Sequence, residues 1–356
     1  MEELIKKNEK SSQKISRRDF ITKSSAAAAA FMIVPRYVLG GPGYTAPSDK
    51  INIAAIGVGG KGRSDIAAVA TENIVALCDV DDVKMFDTIK RAGEWAEEKG
   101  LSENPLAKVP RYKDFREMLD KQKDIDAVTV STPDHFHAVA AITAIKQGKH
   151  AFVQKPLTYS VDEAQKLSAA AKKAGVVTQM GNQGHAGEGI RLIGEWLKDG
   201  AIGEVREVHC WTNRPIWDTG MSRPAEIPSV PPTLDWNQWI GPAPFRPYHP
   251  DYAPWSWRAW CDFGTGALGD MGAHIFDIPY HTLKMDHPTS VFASSSKFNG
   301  ESWPVASTIY YEFPQRGLLP PVKLTWYDGG IMPSRPEGIE PGRRMGDDDG
   351  GIMFYG

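Results

Sequence analysis

Apolar and polar positions follow two different rhythms along this chain, and the change of rhythm divides it. From Lys50 to Met180, short β-branched runs recur between stretches with helical spacing. That is the pattern of a parallel sheet with helices packed on both faces. Strands are predicted at Ile51 to Ile56, Asn73 to Leu77, Val109 to Tyr112, Ala127 to Val130, His150 to Val153 and Val176 to Met180. Helices are predicted from about Arg63 to Ala70 and over Val83 to Lys99, where Gly100 fits the C-terminal cap. Others cover Phe115 to Lys121 after an Asp114 cap, a stretch ending at Lys146, and Val161 to Ala174. Beyond Gly181 an amphipathic helix spans Glu188 to Lys198, and a strand runs from Val205 to Trp211. A Pro- and Trp-rich excursion, Arg214 to Trp260, leads into a glycine-rich helical segment, Asp262 to His281. Strands at Val291 to Ser296, Ala306 to Phe313 and Val322 to Trp326 read as antiparallel. The fold class is therefore α/β, a doubly wound N-terminal domain followed by an α+β domain with a mostly antiparallel open sheet.

The first 47 residues read as an address. Met1 to Lys14 is polar and basic, and Ser16-Arg17-Arg18-Asp19-Phe20-Ile21-Thr22-Lys23 resembles a twin-arginine export signal. The apolar stretch Ala26 to Val34 is too short to span a bilayer. Cleavage is expected after Gly40, and Gly40 to Ser48 reads as a linker. The expected organisation is signal and linker over 1–47, a dinucleotide-binding domain over 48–180 and a substrate and oligomerisation domain over 181–356. A net charge of −3 argues against a nucleic-acid surface. Cys78, Cys210 and Cys261 lie far apart with no C-x-x-C, so they offer neither a disulfide framework nor a zinc site.

The first strand breaks into G-x-G-x-x-G at Gly57, Gly59 and Gly62, with Gly60 between. These glycines serve a tight turn, close approach of backbone to a pyrophosphate, and close helix–strand contact, the Rossmann fingerprint. The helix that follows would aim its positive end at the phosphates. Asp79, about 20 residues on, ends the second strand, where a carboxylate bonds the adenosine ribose hydroxyls. Asp79 and Asp81 would repel a 2′-phosphate, so NAD is expected rather than NADP.

In a doubly wound sheet ligands gather at the carboxyl ends of the strands. Thr132-Pro133-Asp134-His135-Phe136-His137 and Gln154-Lys155-Pro156 both fall there. Lys155 would leave an apolar strand at the mouth of the cleft, partly desolvated and useful for proton transfer. Asp134 reads as a helix cap and one of the two imidazoles as lining the cleft; a zinc site is the weaker alternative. Asp270 and His274, four apart, share a helical face, with His274 as acid/base and Asp270 orienting it or the substrate.

Together, the glycine-rich strand end, Thr132-Pro133 with His137, Lys155-Pro156 and Asp270-x-x-x-His274 resemble the Gfo/Idh/MocA family of nicotinamide-dependent sugar oxidoreductases. The likeness runs from about Lys50 onward, in order. It implies that Lys155, Asp270 and His274 are catalytic, that Thr132, Pro133 and Lys155 touch the cofactor and that His137 lies beside the nicotinamide. It also implies a homo-oligomer paired through the open face of the second sheet. Gln154 departs from the family's E-K-P and removes a charge partner for Lys155. Asp347 to Gly356 reads as the start of a strand whose family counterparts continue, so the second domain is expected to be truncated. Most of the 11 tryptophans fall between Trp211 and Trp260, and aromatic faces pack on sugar rings. Most of these rings are expected as core or subunit contact, and only Trp257 and Arg258 as substrate contacts. The expected reaction passes hydride from a sugar carbinol to tightly held NAD while Lys155 or His274 removes the hydroxyl proton. Export would strand a freely exchanging cofactor, so NAD should be reset within each cycle. Either a second sugar takes the hydride back, or transient oxidation drives elimination, water addition and re-reduction, with hydrolysis of a glycoside as the outcome. The translocase is the expected partner during export, and a sugar-binding protein without turnover is the reading from another class.

Overall fold

The computed structural model describes residues 45–356, so the export signal and most of the linker lie outside the described residues. Residues 45–51 belong to a unit of their own, with a short 3-10 turn at Pro47–Asp49. Asn52–Gly356 forms a second unit built on two sheets.

The first sheet has six parallel strands, β1 (Asn52–Ile56), β2 (Asn73–Cys78), β3 (Arg111–Tyr112), β4 (Ala127–Val130), β5 (His150–Gln154) and β6 (Thr178–Gly181). Their order, β3-β2-β1-β4-β5-β6, reverses direction between β1 and β4, where a crevice opens at the strand ends. Helices α1 (Lys61–Ala68), α2 (Asp82–Glu98), α3 (Phe115–Lys121), α4 (Asp134–Lys146) and α5 (Val161–Ala174) make the crossovers. Local chemistry sets their ends. Asp114 accepts from Arg116 N at 2.8 Å to start α3, and Ser160 with Glu163 forms a capping box on α5. Helix α1 begins two residues earlier than its pattern suggests, because Gly60, at φ 48°, turns the chain directly into it.

The second sheet contains β7 (Glu207–Thr212), β8 (Ser290–Ser295), β9 (Ser307–Phe313), β10 (Val322–Tyr327) and β11 (Gly350–Tyr355) in the order β11-β7-β10-β9-β8. Only the β7–β10 pair is parallel. Val208, Cys210, Leu324 and Trp326 pack from this sheet against Met271 and Ile275, with α6 (Glu188–Lys198) contributing Leu197 to the edge of that core. Val291, Phe292 and Tyr310 remain exposed.

The excursion is not a plain loop. It carries α7 (Trp236–Ile240), started by Asp235 accepting from Gln238 N, and its own aromatic core. Trp217, Trp236, Trp239, Tyr252, Trp257, Trp260 and Phe263 form one buried cluster, with Trp236 stacked on Trp239 at 4.7 Å. Arg246 is buried among these rings and pairs with Asp262 and Glu301. The glycine-rich segment expected as one helix is two, α8 (Gly266–Ile275) and α9 (Asp277–Thr282), joined at Phe276.

Candidate functional site

Glycine builds the first half of the site. Gly57 sits at φ 78°, and a Cβ there would lie 2.8 Å from the Ser131 backbone. A Cβ on Gly62 would lie 1.9 Å from Gly57 O, so α1 can approach β1 this closely only with glycine at that position. A Cβ on Gly59 would press on the Lys84 side chain, whereas beside Gly60 the space is open. A cleft of about 630 Å³ follows, with Gly57, Gly59, Gly60, Asp79, Thr132, Pro133 and Lys155 in its wall. Asp79 Oδ2 accepts from Val58 N at 2.9 Å and Gly59 N at 3.4 Å, and Oδ1 accepts from Asp81 N at 3.0 Å. The carboxylate thus braces the glycine turn and keeps further lone pairs for a ribose hydroxyl. Burial raises its pKa against the pull of these amides. Thr132 Oγ1 is buried without a hydrogen-bond partner, a polar atom waiting on the cleft wall. An open glycine turn, a carboxylate at the end of β2 and this orphan hydroxyl fit a dinucleotide.

The two histidines after Pro133 do not line the cleft. His137 is buried, with Nδ1 2.7 Å from Pro156 O and Nε2 2.8 Å from Thr132 O. It ties the β4 turn to the Lys155-Pro156 turn, whose peptide is cis, and so supports the cleft wall from behind. His135 faces Phe263 O at 3.2 Å and Trp239 O at 3.0 Å, and burial pushes its pKa down to about 4. Both nitrogens of each ring face backbone carbonyl oxygens, so neither ring opens a nitrogen to the cleft. Asp134, expected to cap its own helix, instead accepts from Thr265 N at 3.1 Å and Thr265 Oγ1 at 2.6 Å. It therefore anchors the start of α8, the helix that carries Asp270 and His274.

Gln154 has its own explanation. Its Nε2 donates to both oxygens of buried Asp65, at 3.0 and 2.9 Å, and Ser131 Oγ donates to the same carboxylate at 2.7 Å. A glutamate would set two carboxylates against each other there, whereas the amide donates to Asp65 directly. Lys155 finds its charge partner elsewhere.

Lys155 Nζ donates to Asp270 O at 2.7 Å and Asp270 Oδ1 at 2.8 Å. The pair is 18% and 14% exposed, shielded enough to fix the ammonium at the strand end. Asp270 also meets Arg258 Nε at 3.5 Å and Arg214 Nε at 3.9 Å. It does not orient His274, because its oxygens point into this basic set. Asn182 does that work. Asn182 Nδ2 donates to Ala273 O at 2.8 Å, which turns Oδ1 toward His274 Nδ1 at 2.9 Å. Nδ1 must then carry the proton, leaving a lone pair on Nε2. Burial, reinforced by the Lys155 ammonium, holds His274 below the ordinary imidazole range, against the pull of Asp270 and Asp277. A chamber of about 400 Å³ joins Lys155, Asp270, His274, Arg214, Arg258, Trp255 and Asp349.

Of the expected substrate contacts, Arg258 reaches this chamber. Trp257 is buried in the excursion core, its ring 4.2 Å from the Arg258 guanidinium, and it edges the cofactor cleft instead. Trp255, whose ring is 4.3 Å from the same guanidinium, is 53% exposed and lines both cavities. Sequence reasoning missed Asn182, Arg214 and Asp349, and passed over Trp255 in favour of Trp257. A lone Asn after a strand and an Arg before a proline carry no periodic or motif signal.

Two family descriptions match in tandem: oxidoreductase family, NAD-binding Rossmann fold, over residues 51–182, and oxidoreductase family, C-terminal alpha/beta domain, over residues 204–313. The chain belongs to the Gfo/Idh/MocA family. Its Rossmann domain is the family's NAD-binding one, on the residues whose geometry fits that cofactor. It is 35% identical over 124 residues to a glycosyl hydrolase family 109 protein of Solibacter usitatus, covering 34% of this chain and 27% of that protein. It is 32% identical over 105 residues to 2,7-anhydro-N-acetylneuraminate hydratase of Escherichia coli, covering 30% and 28%. The matched stretches thus span little more than a quarter of either relative. The structure of GenD2 from gentamicin A biosynthesis in complex with NAD shares the fold, with a TM-score of 0.55 at 19% identity over 80% of this chain and 67% of that one.

Proposed function

We propose that this Gfo/Idh/MocA protein is an NAD-dependent oxidoreductase acting on a sugar or glycoside, with His274 taking the proton of a carbinol hydroxyl. The observation that carries the reading is His274 itself, an imidazole whose Nδ1 is committed to Asn182 and whose Nε2 is left as a base beside Lys155. Bound NAD supplies a two-electron oxidant for the carbinol carbon. Lys155 holds two of its N–H groups on Asp270 and keeps a third for the substrate oxygen, where negative charge develops as the proton leaves. Trp255 walls the chamber. The twin-arginine pattern supports an exported protein that loads NAD before leaving the cytoplasm and regenerates it in each cycle. The exposed Val291, Phe292 and Tyr310 support pairing of two copies through the second sheet.

A second reading is favoured by the name of the Solibacter usitatus relative. After transient oxidation, the C–H beside the new carbonyl is acidic, and His274 can take that proton as the aglycone departs. Water then adds and the carbonyl is reduced again, so the net change is hydrolysis. Incubation of the purified protein with a panel of glycosides in deuterated water separates the two. Deuterium on the carbon next to the oxidised position of a released sugar, with no net NADH, supports the hydrolase. A stable keto-sugar supports the oxidoreductase. Unchanged turnover in Lys155→Ala overturns both.

A further inference from the structure

The chamber beside His274 holds more positive charge than its own carboxylates balance. Lys155, Arg214 and Arg258 face Asp270 and Asp349, three cations against two anions. The cations cannot easily withdraw. The Arg258 guanidinium lies over the rings of Trp255 and Trp257, at 4.3 and 4.2 Å, and its Nη1 donates to Trp255 O at 3.1 Å. Arg214 is held by its Nη1, which donates to Asp349 Oδ1 at 3.1 Å and to Asn213 Oδ1. In both residues Nη2 has no hydrogen-bond partner among the described residues, yet neither atom is among the buried unpaired ones, so both remain open to a ligand. Arg214 and Arg258 are 16% and 22% exposed, shielded enough that an unbalanced guanidinium is unfavourable and a visiting anion is favoured.

We propose that the substrate carries a carboxylate, an acidic sugar or its glycoside, and that Arg214 and Arg258 receive that group through their free Nη2 atoms. The proposal rests on the sugar reading above and narrows it. A neutral sugar would leave the extra charge unmatched. A planar carboxylate matches the donor geometry of a guanidinium and sets the ring's orientation before His274 engages a hydroxyl. Asp270, already surrounded by Lys155, Arg214 and Arg258, stays committed to Lys155 rather than repelling the incoming group.

Calorimetric titration of the NAD-loaded protein with matched pairs tests this: glucuronate and glucuronamide, galacturonate and galacturonamide, N-acetylneuraminate and its methyl ester. At least one acid should bind about tenfold or more tighter than its neutral partner, the scale of one charge-assisted hydrogen bond. Arg214→Gln should erase most of that gap by weakening the acid far more than its neutral partner, with the NAD content unchanged. Arg214→Lys should restore part of it. Equal affinity within every pair, or preference for the neutral member, overturns the carboxylate proposal and leaves the sugar reading standing. Failure of every compound to bind overturns both.

Discussion

Three histidines of this chain look alike in sequence, each on a helix and each within four residues of an aspartate, yet the fold treats them in opposite ways. His135 and His137 have both ring nitrogens against backbone carbonyls, and both rings are buried. His274 has one nitrogen fixed by a side-chain amide, the other without a hydrogen-bond partner among the described residues, and a ring that lines a chamber. The first two are mechanical braces behind the cofactor wall; the third has an unused lone pair where a substrate can reach. Enclosure of both ring nitrogens by backbone, rather than motif position, separates the structural histidines from the chemical one.

The largest expected effect that could break this contrast is on catalysis. His274→Gln should lower kcat by about 10²–10⁴, the range for a lost general base, while NAD recovered from the denatured protein stays near one per chain. Next comes stability. His135 stays neutral when folded, with its pKa pushed down to about 4, whereas the unfolded chain protonates it near the ordinary value of about 6.5. The unfolded state therefore binds more protons in that window. Stability should be full above about pH 6.5 and fall by a few kcal/mol as pH drops toward 4. His135→Gln should flatten that stretch of the curve in urea melts taken across the pH series. The smallest effect sharpens the distinction: Asn182→Ala should reduce kcat about tenfold with little change in KM, by releasing the His274 ring. Combined with His274→Gln it should add almost nothing, since both act through one group.

The parallel half of the fold was legible because its strands are buried on both faces and its helices carry their own start and stop signals. α3, α5 and α6 begin and end where the pattern places them. Lys155, Asp270 and His274 were also legible as a set, and the structure brings them into one chamber. Their wiring was not. Asp270 serves Lys155 and not His274, and Asp134 caps a helix more than 130 residues away. Such partnerships depend on how the second half docks on the first, and no local period encodes that. The excursion was the least legible part. Its rings were expected chiefly as core, correctly, but Trp255, the exposed one, follows Pro254 with nothing in the sequence to distinguish it from Trp257.

The protonation of one ring, His274, decides the chemistry proposed for this chamber. Nitrogen-15 histidine NMR of the NAD-loaded protein, with the signal assigned by its loss in His274→Gln, reads it without a substrate. The expected result is a neutral His274 at pH 7 with the proton on Nδ1, Nε2 bare, and titration below the ordinary imidazole range. A proton on Nε2, or an imidazolium at neutral pH, would contradict it.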